Sequence, residues 1–304
     1  MIPRWAVGAV LLIAGCRDGG PPPPAFDGEA ALAYVRRQVQ FGPRIPGSEG
    51  HRRMGAWLDS LLRARADTLV VQAWDHTTLD GRTLPLRNFL ARFRPEATDR
   101  LLFLAHWDTR PHADASGSAD KAAAVPGAND GGSGVAVLLG VADAIAQAGG
   151  PPRGVDLLFV DGEDFGAFAD SADVLIGSTW FASNLPEGQR PRFAVLLDLV
   201  GAPNPQFAQE GYSLTGAPHV VKLVWETAAR LGHGALFPVE GGIPVRDDHL
   251  PLQRAGIPAI DVIDLRFLNG PRWHTPDDTP DAVSATTLKA VGEVVLAVIW
   301  GNEK

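Results

Sequence analysis

Four short apolar runs, each leading into carboxylates or imidazoles, constrain this chain more than any other feature. Residues 101–105 run into His106-Trp107-Asp108, and 155–160 into Asp161-Gly162-Glu163-Asp164. Residues 193–197 run into Asp198, and 259–263 are followed by a loop holding Trp273-His274-Thr275. Short runs without polar alternation read as strands buried on both faces. Between and after them lie segments with helical character, at 135–148, 176–183, 219–231 and 284–300. Such alternation predicts a single three-layer α/β/α domain around a central, mostly parallel (mixed) sheet. Upstream, residues 29–41 have helical periodicity, and Ser48 is placed to cap a helix reaching about residue 65. Residues 68–74 and 86–93 read as two strands around the turn Asp80-Gly81.

In open α/β sheets, ligands bind outside the carboxyl ends of the strands. The polar residues above all fall there, joined by Asn129-Asp130 ahead of a helix. Histidines and carboxylates from five loops would converge on one sheet edge. That mixture suits Zn²⁺, which takes imidazole nitrogen and carboxylate oxygen and polarises carbonyls. Each residue also has a plain structural reading. Asp130 could cap the following helix, Glu163 and Asp164 could be solvated loop charges, and His106 a satisfied core histidine. His274 could be a turn residue before Pro276. The structural account needs a separate reason at every strand end and leaves two adjacent acids unexplained at a partly buried site. The histidines at 51, 76, 112, 219 and 233 have no strand-end context and are expected at the surface.

Other chemistries are excluded by pattern. Gly131-Gly132-Ser133-Gly134-Val135 lacks the last glycine of a nucleophile elbow, and no Walker loop, dinucleotide glycine spacing or His-Glu-x-x-His helix occurs. With 27 basic against 35 acidic residues the net charge is −8, and no basic run stands out, so a nucleic-acid partner is not expected. The single cysteine rules out an internal disulfide and a cysteine-built zinc site.

That cysteine falls in a targeting context. Arg4 supplies a positive n-region, residues 5–14 a short apolar core, and Ile13-Ala14-Gly15-Cys16 resembles a bacterial lipobox. The apolar stretch is shorter than the ~20 residues needed to span a bilayer. The expected organisation is a signal peptide over residues 1–15, a proline-rich tether over 16–27 lipidated at Cys16, and a catalytic domain over 28–304. An extracytoplasmic, membrane-anchored lipoprotein follows, touching the membrane through its lipid alone; a secretory signal with a chance cysteine is the alternative.

In order along the chain, Pro46-Gly47-Ser48-x-Gly50, His106-x-Asp108, Gly127-Ala128-Asn129-Asp130, Asp161-Gly162-Glu163-Asp164 and His274-Thr275 resemble the zinc-dependent aminopeptidase and glutaminyl cyclase superfamily. The resemblance spans roughly residues 30–300. Residues 196–202, Asn204-Pro205-x-Phe207, Asp247-Asp248-His249-Leu250-Pro251 and Trp273-His274-Thr275 are closest to the glutaminyl-peptide cyclotransferase branch. Two positions depart from it: Asp164 stands where a glutamate ligand is usual, and Ala169 where animal cyclases carry a pocket tryptophan.

The resemblance implies Asp130, Asp164 and His274 as ligands of the principal zinc. Asp108 would orient His106 from behind the ligands, and Glu163 would be the general acid/base. Asp247, acting with Glu163, and Asp198 would form an acidic hydrogen-bonded network around it, Asp248 would stand behind the ligands as Asp108 does, and Trp273 would offer an apolar wall. In a two-metal aminopeptidase, His106 and Asp198 would instead complete a second zinc site with Asp130 bridging, so the number of ions, one or two, stays open. The resemblance also implies a cis peptide after Asp130. The expected substrate is a peptide or protein N-terminus: glutamine cyclised to pyroglutamate with loss of ammonia, or, alternatively, hydrolytic release of the first residue. A catalytically silent surface-binding domain is the remaining reading.

Overall fold

The computed structural model describes residues 21–115, 118–169, 171–186 and 190–301. The targeting segment with Arg4 and Cys16 lies outside them. Among the described residues, no helix is long and apolar enough to cross a membrane.

Asp27 opens the first helix by accepting hydrogen bonds from the backbone N–H groups of Glu29 and Ala30, a capping contact generally worth about 1 kcal/mol. The chain then runs α1 (Gly28–Val39), α2 (Glu49–Arg63), β1 (Thr68–Thr77), β2 (Thr83–Phe93), β3 (Arg100–His106), α3 (Gly132–Gln147) and β4 (Gly154–Val160). It continues through α4 (Ile176–Ser183), β5 (Ala194–Asp198), α5 (Gly211–Gly216), α6 (Pro218–Arg230) and α7 (His249–Arg254). β6 (Ala259–Ile263), α8 (Leu265–Leu268) and α9 (Ala285–Trp300) complete it. Every expected strand and helix is present. The short α5, α7 and α8 were not anticipated, because four to six residues give too little periodicity to read.

The six strands form one sheet in the order β1-β2-β4-β3-β5-β6. β4, β3, β5 and β6 are parallel, and the β1–β2 hairpin joins antiparallel at β4. The four parallel strands are the four apolar runs, and each is buried along its whole length. Alternate residues face two helical layers. Phe103, Leu157, Val195 and Val262 pack in one cluster with side chains of α1, α2, α3, α6 and α9. Leu102, Leu158 and Leu196 pack in another with Phe181 of α4 and Leu252 of α7. Phe26 is already core; a Cβ on Gly140 of α3 or Gly292 of α9 would strike its ring.

β3 is central, with β4 on one side and β5 on the other. The connection leaving β3 runs to β4 on one side and the connection leaving β5 runs to β6 on the other, so they diverge and open a crevice at the carboxyl ends of these strands.

Candidate active site

The residues at that crevice are delivered by backbone that is held from below. α3 begins at Gly132 with Gly131 as its N-cap, and no side chain caps it. Asp130 is therefore not the helix cap, and its carboxylate is free for other contacts. The turn is made by Gly131 at φ 70°, where a Cβ would lie 2.7 Å from the His106 ring. Only glycine allows helix and histidine to approach so closely. The cis bond expected after Asp130 is not found; no described peptide bond is cis, and the positive φ at Gly131 redirects the chain instead.

Asn129 and Ser133 tie this turn to the end of β5. Gly201 N–H donates to Asn129 Oδ1 at 2.7 Å, and Val200 N–H to Ser133 Oγ at 2.9 Å. This fixes Asp198 relative to Asp130. On the other side, both oxygens of Asp108 accept backbone N–H groups, from Glu163 at 3.1 Å and Asp164 at 3.2 Å. Asp108 thus shapes the acidic turn after β4, and its Oδ1 also lies 3.5 Å from His106 Nδ1.

Two candidate metal-binding sets result, and they share Asp130. His106, Asp130 and Asp198 form one; Asp130, Asp164 and His274 form the other. Within each, all three donor atoms lie within 4.8 Å of one another. His106 Nε2 is 3.2 Å from Asp130 and 3.3 Å from Asp198. His274 Nε2 is 3.6 Å from Asp130 and 3.4 Å from Asp164. All five residues are buried. Asp130 Oδ2 and Asp164 Oδ2 have no hydrogen-bond partner among the described residues, although both are sealed from solvent. An orphaned Asp130 oxygen facing the His274 imidazole, with a second orphaned oxygen on Asp164 beside it, is what a cation site requires, and the nitrogen–oxygen donor set fits Zn²⁺.

The electrostatics point the same way. Burial raises Glu163 well above an ordinary carboxyl, with Asp164 and Asp247 adding to the rise against the pull of His106. Asp247 is pushed well up by burial and by Asp198, and Asp248 rises to about 7 for the same kind of reason. Burial alone would depress both histidines. Asp108, Asp130 and Asp198 hold His106 well above the usual imidazole value, and Asp164, Asp114 and Asp130 raise His274 to about 10. Protons are thus the cations of last resort in a site with surplus buried acid, a role a divalent ion fills better.

Several contributors were not visible in the sequence. Asp114 accepts from His274 Nδ1 at 2.7 Å, which leaves Nε2 turned toward the acids, as in a carboxylate–histidine–metal relay. Burial disfavours its ionisation, but the bonds from His274 and Arg110 hold it well below the carboxylate range. Arg110 Nη1 donates to the Asp164 carboxylate at 3.0 Å and to the Gly166 carbonyl at 2.7 Å. This contact helps hold the short Asp164 in place of the longer glutamate. Arg110 follows Asp108 by two residues, and a lone cation in so acidic a stretch was the available signal. His51, expected at the surface, is 2% exposed. Its Nε2 meets Asp161 at 2.9 Å and its ring stacks on Trp107 at 4.3 Å, because the first turn of α2 packs under the strand ends. Of the other four histidines, His112 and His219 are exposed, while His76 and His233 are half-buried and bonded to Asp173 and Glu293.

A cavity of about 340 Å³ opens over the site, with Asp130, Glu163, Asp164, Asp198, Asp247 and His274 among its lining residues. Its apolar wall includes Phe168, Ile243, Val245, Leu268 and Trp273. Trp273 stacks on His274 at 3.7 Å, so it lines the cavity and packs the loop at once. Ala169 is exposed, and its neighbour Phe168 supplies the aromatic surface instead.

The pattern of Peptidase family M28 matches residues 88–299, which takes in all five candidate ligands. A solved glutaminyl cyclase of Bacteroides thetaiotaomicron, bound to N-acetylhistamine, superposes with a TM-score of 0.88 at 39% identity, covering 92% of this chain and all of that one. A structure described as a leucine aminopeptidase precursor from the same organism gives 0.87 at 39% identity, over 92% and 99% of the two chains. The glutaminyl-peptide cyclotransferase-like protein of Bos taurus is 28% identical over 83% of this chain and 70% of its own length. With the family pattern spanning most of the sequence and whole-chain structural agreement on both cyclases and exopeptidases, the chain belongs to Peptidase family M28.

Proposed function

We propose that this protein is a zinc-dependent glutaminyl-peptide cyclotransferase, converting the N-terminal glutamine of peptides to pyroglutamate with release of ammonia. One observation carries the reading: Glu163, Asp198 and Asp247 line one small cavity together with the apolar side chains of Phe168, Ile243 and Trp273. At about 340 Å³ the cavity is near the lower end of ligand-site sizes, which suits one residue rather than a long side-chain array. The acids are placed to receive an α-amino group, and Trp273, Phe168 and Ile243 to hold the methylenes.

Asp130, Asp164 and His274, with or without His106 and Asp198, would hold the zinc. When bound, it supplies Lewis-acid polarisation of the γ-carboxamide oxygen. Glu163 takes a proton from the α-amine as the nitrogen attacks Cδ. It returns that proton to the carboxamide nitrogen as the Cδ–N bond breaks, so that ammonia leaves. Burial and the neighbouring charges of Asp164 and Asp247 raise the affinity of Glu163 for that proton, which suits it to take the proton from the amine.

The sharing of Asp130 between two three-ligand sets favours a second reading, a two-zinc aminopeptidase in which Glu163 deprotonates an attacking water. Incubating the zinc-loaded protein with a Gln-initiated dipeptide amide and reading the products by mass distinguishes them. The expected product is the pyroglutamyl peptide with its amide bond whole. Release of free glutamine from the dipeptide amide, or of leucine from a Leu-initiated peptide run in parallel, with no pyroglutamyl product, would replace the cyclase reading by the peptidase one.

The cellular setting proposed with this activity is a signal peptide over 1–15, a tether over 16–27 and lipidation at Cys16, with 28–304 as the catalytic domain. Cys16→Ser should shift the protein from the detergent phase to the aqueous phase, or leave it as uncleaved precursor. A wild-type protein that partitions into the aqueous phase without a lipid mass would rule the anchor out.

A further inference from the structure

We infer that Arg44 and Asp278 form a buried brace that sets the position of Asp130 for metal binding, a role that rests on Asp130 being a ligand. The two residues grip one short segment from opposite ends. Asp278 Oδ1 accepts from Asn129 N–H at 2.8 Å, and Oδ2 from Asp130 N–H at 3.0 Å, while its own carbonyl accepts from Ala128 N–H at 3.1 Å. The Arg44 guanidinium donates to the carbonyls of Gly127 at 2.7 Å, Trp107 at 3.3 Å and Pro126. Both side chains are fully buried. The carboxylate thus takes the N–H groups of residues 129 and 130, the Asp278 carbonyl takes that of 128, and a cation takes the carbonyls of 126–127, which leaves the Asp130 side chain uncommitted to its own backbone.

The brace joins parts of the site that are distant in sequence. Asp278 lies four residues beyond His274, so the loop that delivers one candidate ligand also fixes the backbone of another. Arg44 extends the grip to Trp107, beside His106. Each grip uses the full geometry of its group: two carboxylate oxygens on two consecutive N–H groups, and a planar fork across three carbonyls. Asparagine could accept only one of those N–H groups, and lysine could not span the fork.

Two isosteric or charge-conserving variants test this, Asp278→Asn and Arg44→Lys, with zinc affinity measured by competition against a chromophoric chelator and folding followed by circular dichroism. Partners that orient metal ligands generally cost about 10–100-fold in metal affinity when altered, and a loss of that size is expected in either variant while it remains folded. The stabilisation of the folded protein by added zinc should shrink in parallel. Wild-type zinc affinity in either folded variant would overturn the brace as a positioning device. If neither variant folds, the pair is a folding element and the inference is likewise overturned. A wild-type protein that binds no zinc at all would instead remove the metal reading on which it rests.

Discussion

Glu163→Gln should lower turnover of a Gln-initiated peptide by about 100-fold or more, equivalent to about 2.7 kcal/mol at the transition state, with zinc content and fold unchanged. Glu163 reaches the cavity but belongs to neither three-ligand set, so its carboxylate can be neutralised without dismantling either. The backbone N–H that places it is held by Asp108, which the substitution leaves alone. Glutamine keeps the shape and accepts hydrogen bonds but cannot carry the proton from amine to leaving group. The decisive measurement pairs kcat with zinc stoichiometry on one sample. A zinc-loaded variant with wild-type kcat would take Glu163 out of the reaction under both the cyclase and the peptidase reading.

A larger loss is expected at Asp130. It is the one residue common to the two candidate sets, and its removal leaves only a pair of donors in each. Asp130→Ala should abolish stable zinc binding and cut turnover by on the order of 10³-fold or more, as when an electrophilic stabiliser is lost outright. Asp198→Ala is the informative companion. It breaks the set with His106 and spares Asp130, Asp164 and His274. If one zinc suffices, the Asp198 variant should retain a single tightly bound ion; if two are bound, its stoichiometry should fall from two to one by metal analysis. Retention of full zinc by Asp130→Ala would show that the ion sits elsewhere.

How far the site was legible in sequence depended on where each residue stood relative to a strand end. His106, Asp130, Glu163, Asp164, Asp198 and His274 could be picked out because the apolar runs mark the strands and the parallel topology sends every carboxyl end to one edge. Asp247, Asp248 and Trp273 came only through the resemblance of their segments to a known branch. Phe168 and Asp114 lie in loops with no periodicity, and nothing local says that they face the cavity or a ligand; Arg110 was marked only as a cation two residues after Asp108. His51 was misplaced for a related reason: helical spacing told that α2 existed, but not that its first turn runs beneath Trp107.

The sequence by itself determined the strand–helix alternation, the sheet that follows from it and the edge at which the chemistry collects, because burial patterns are local and repeat along the chain. Only the tertiary structure decided that Asp114 backs His274, that a positive φ at Gly131 makes the turn where a cis bond was expected, and that Arg44 and Asp278 hold that turn from opposite ends. These depend on groups brought together across wide gaps in sequence, Asp130 and Asp278 being 148 positions apart. Over such separations, contact is fixed by the packing of whole layers to within a few tenths of an ångström, and no short-range pattern in the chain encodes it.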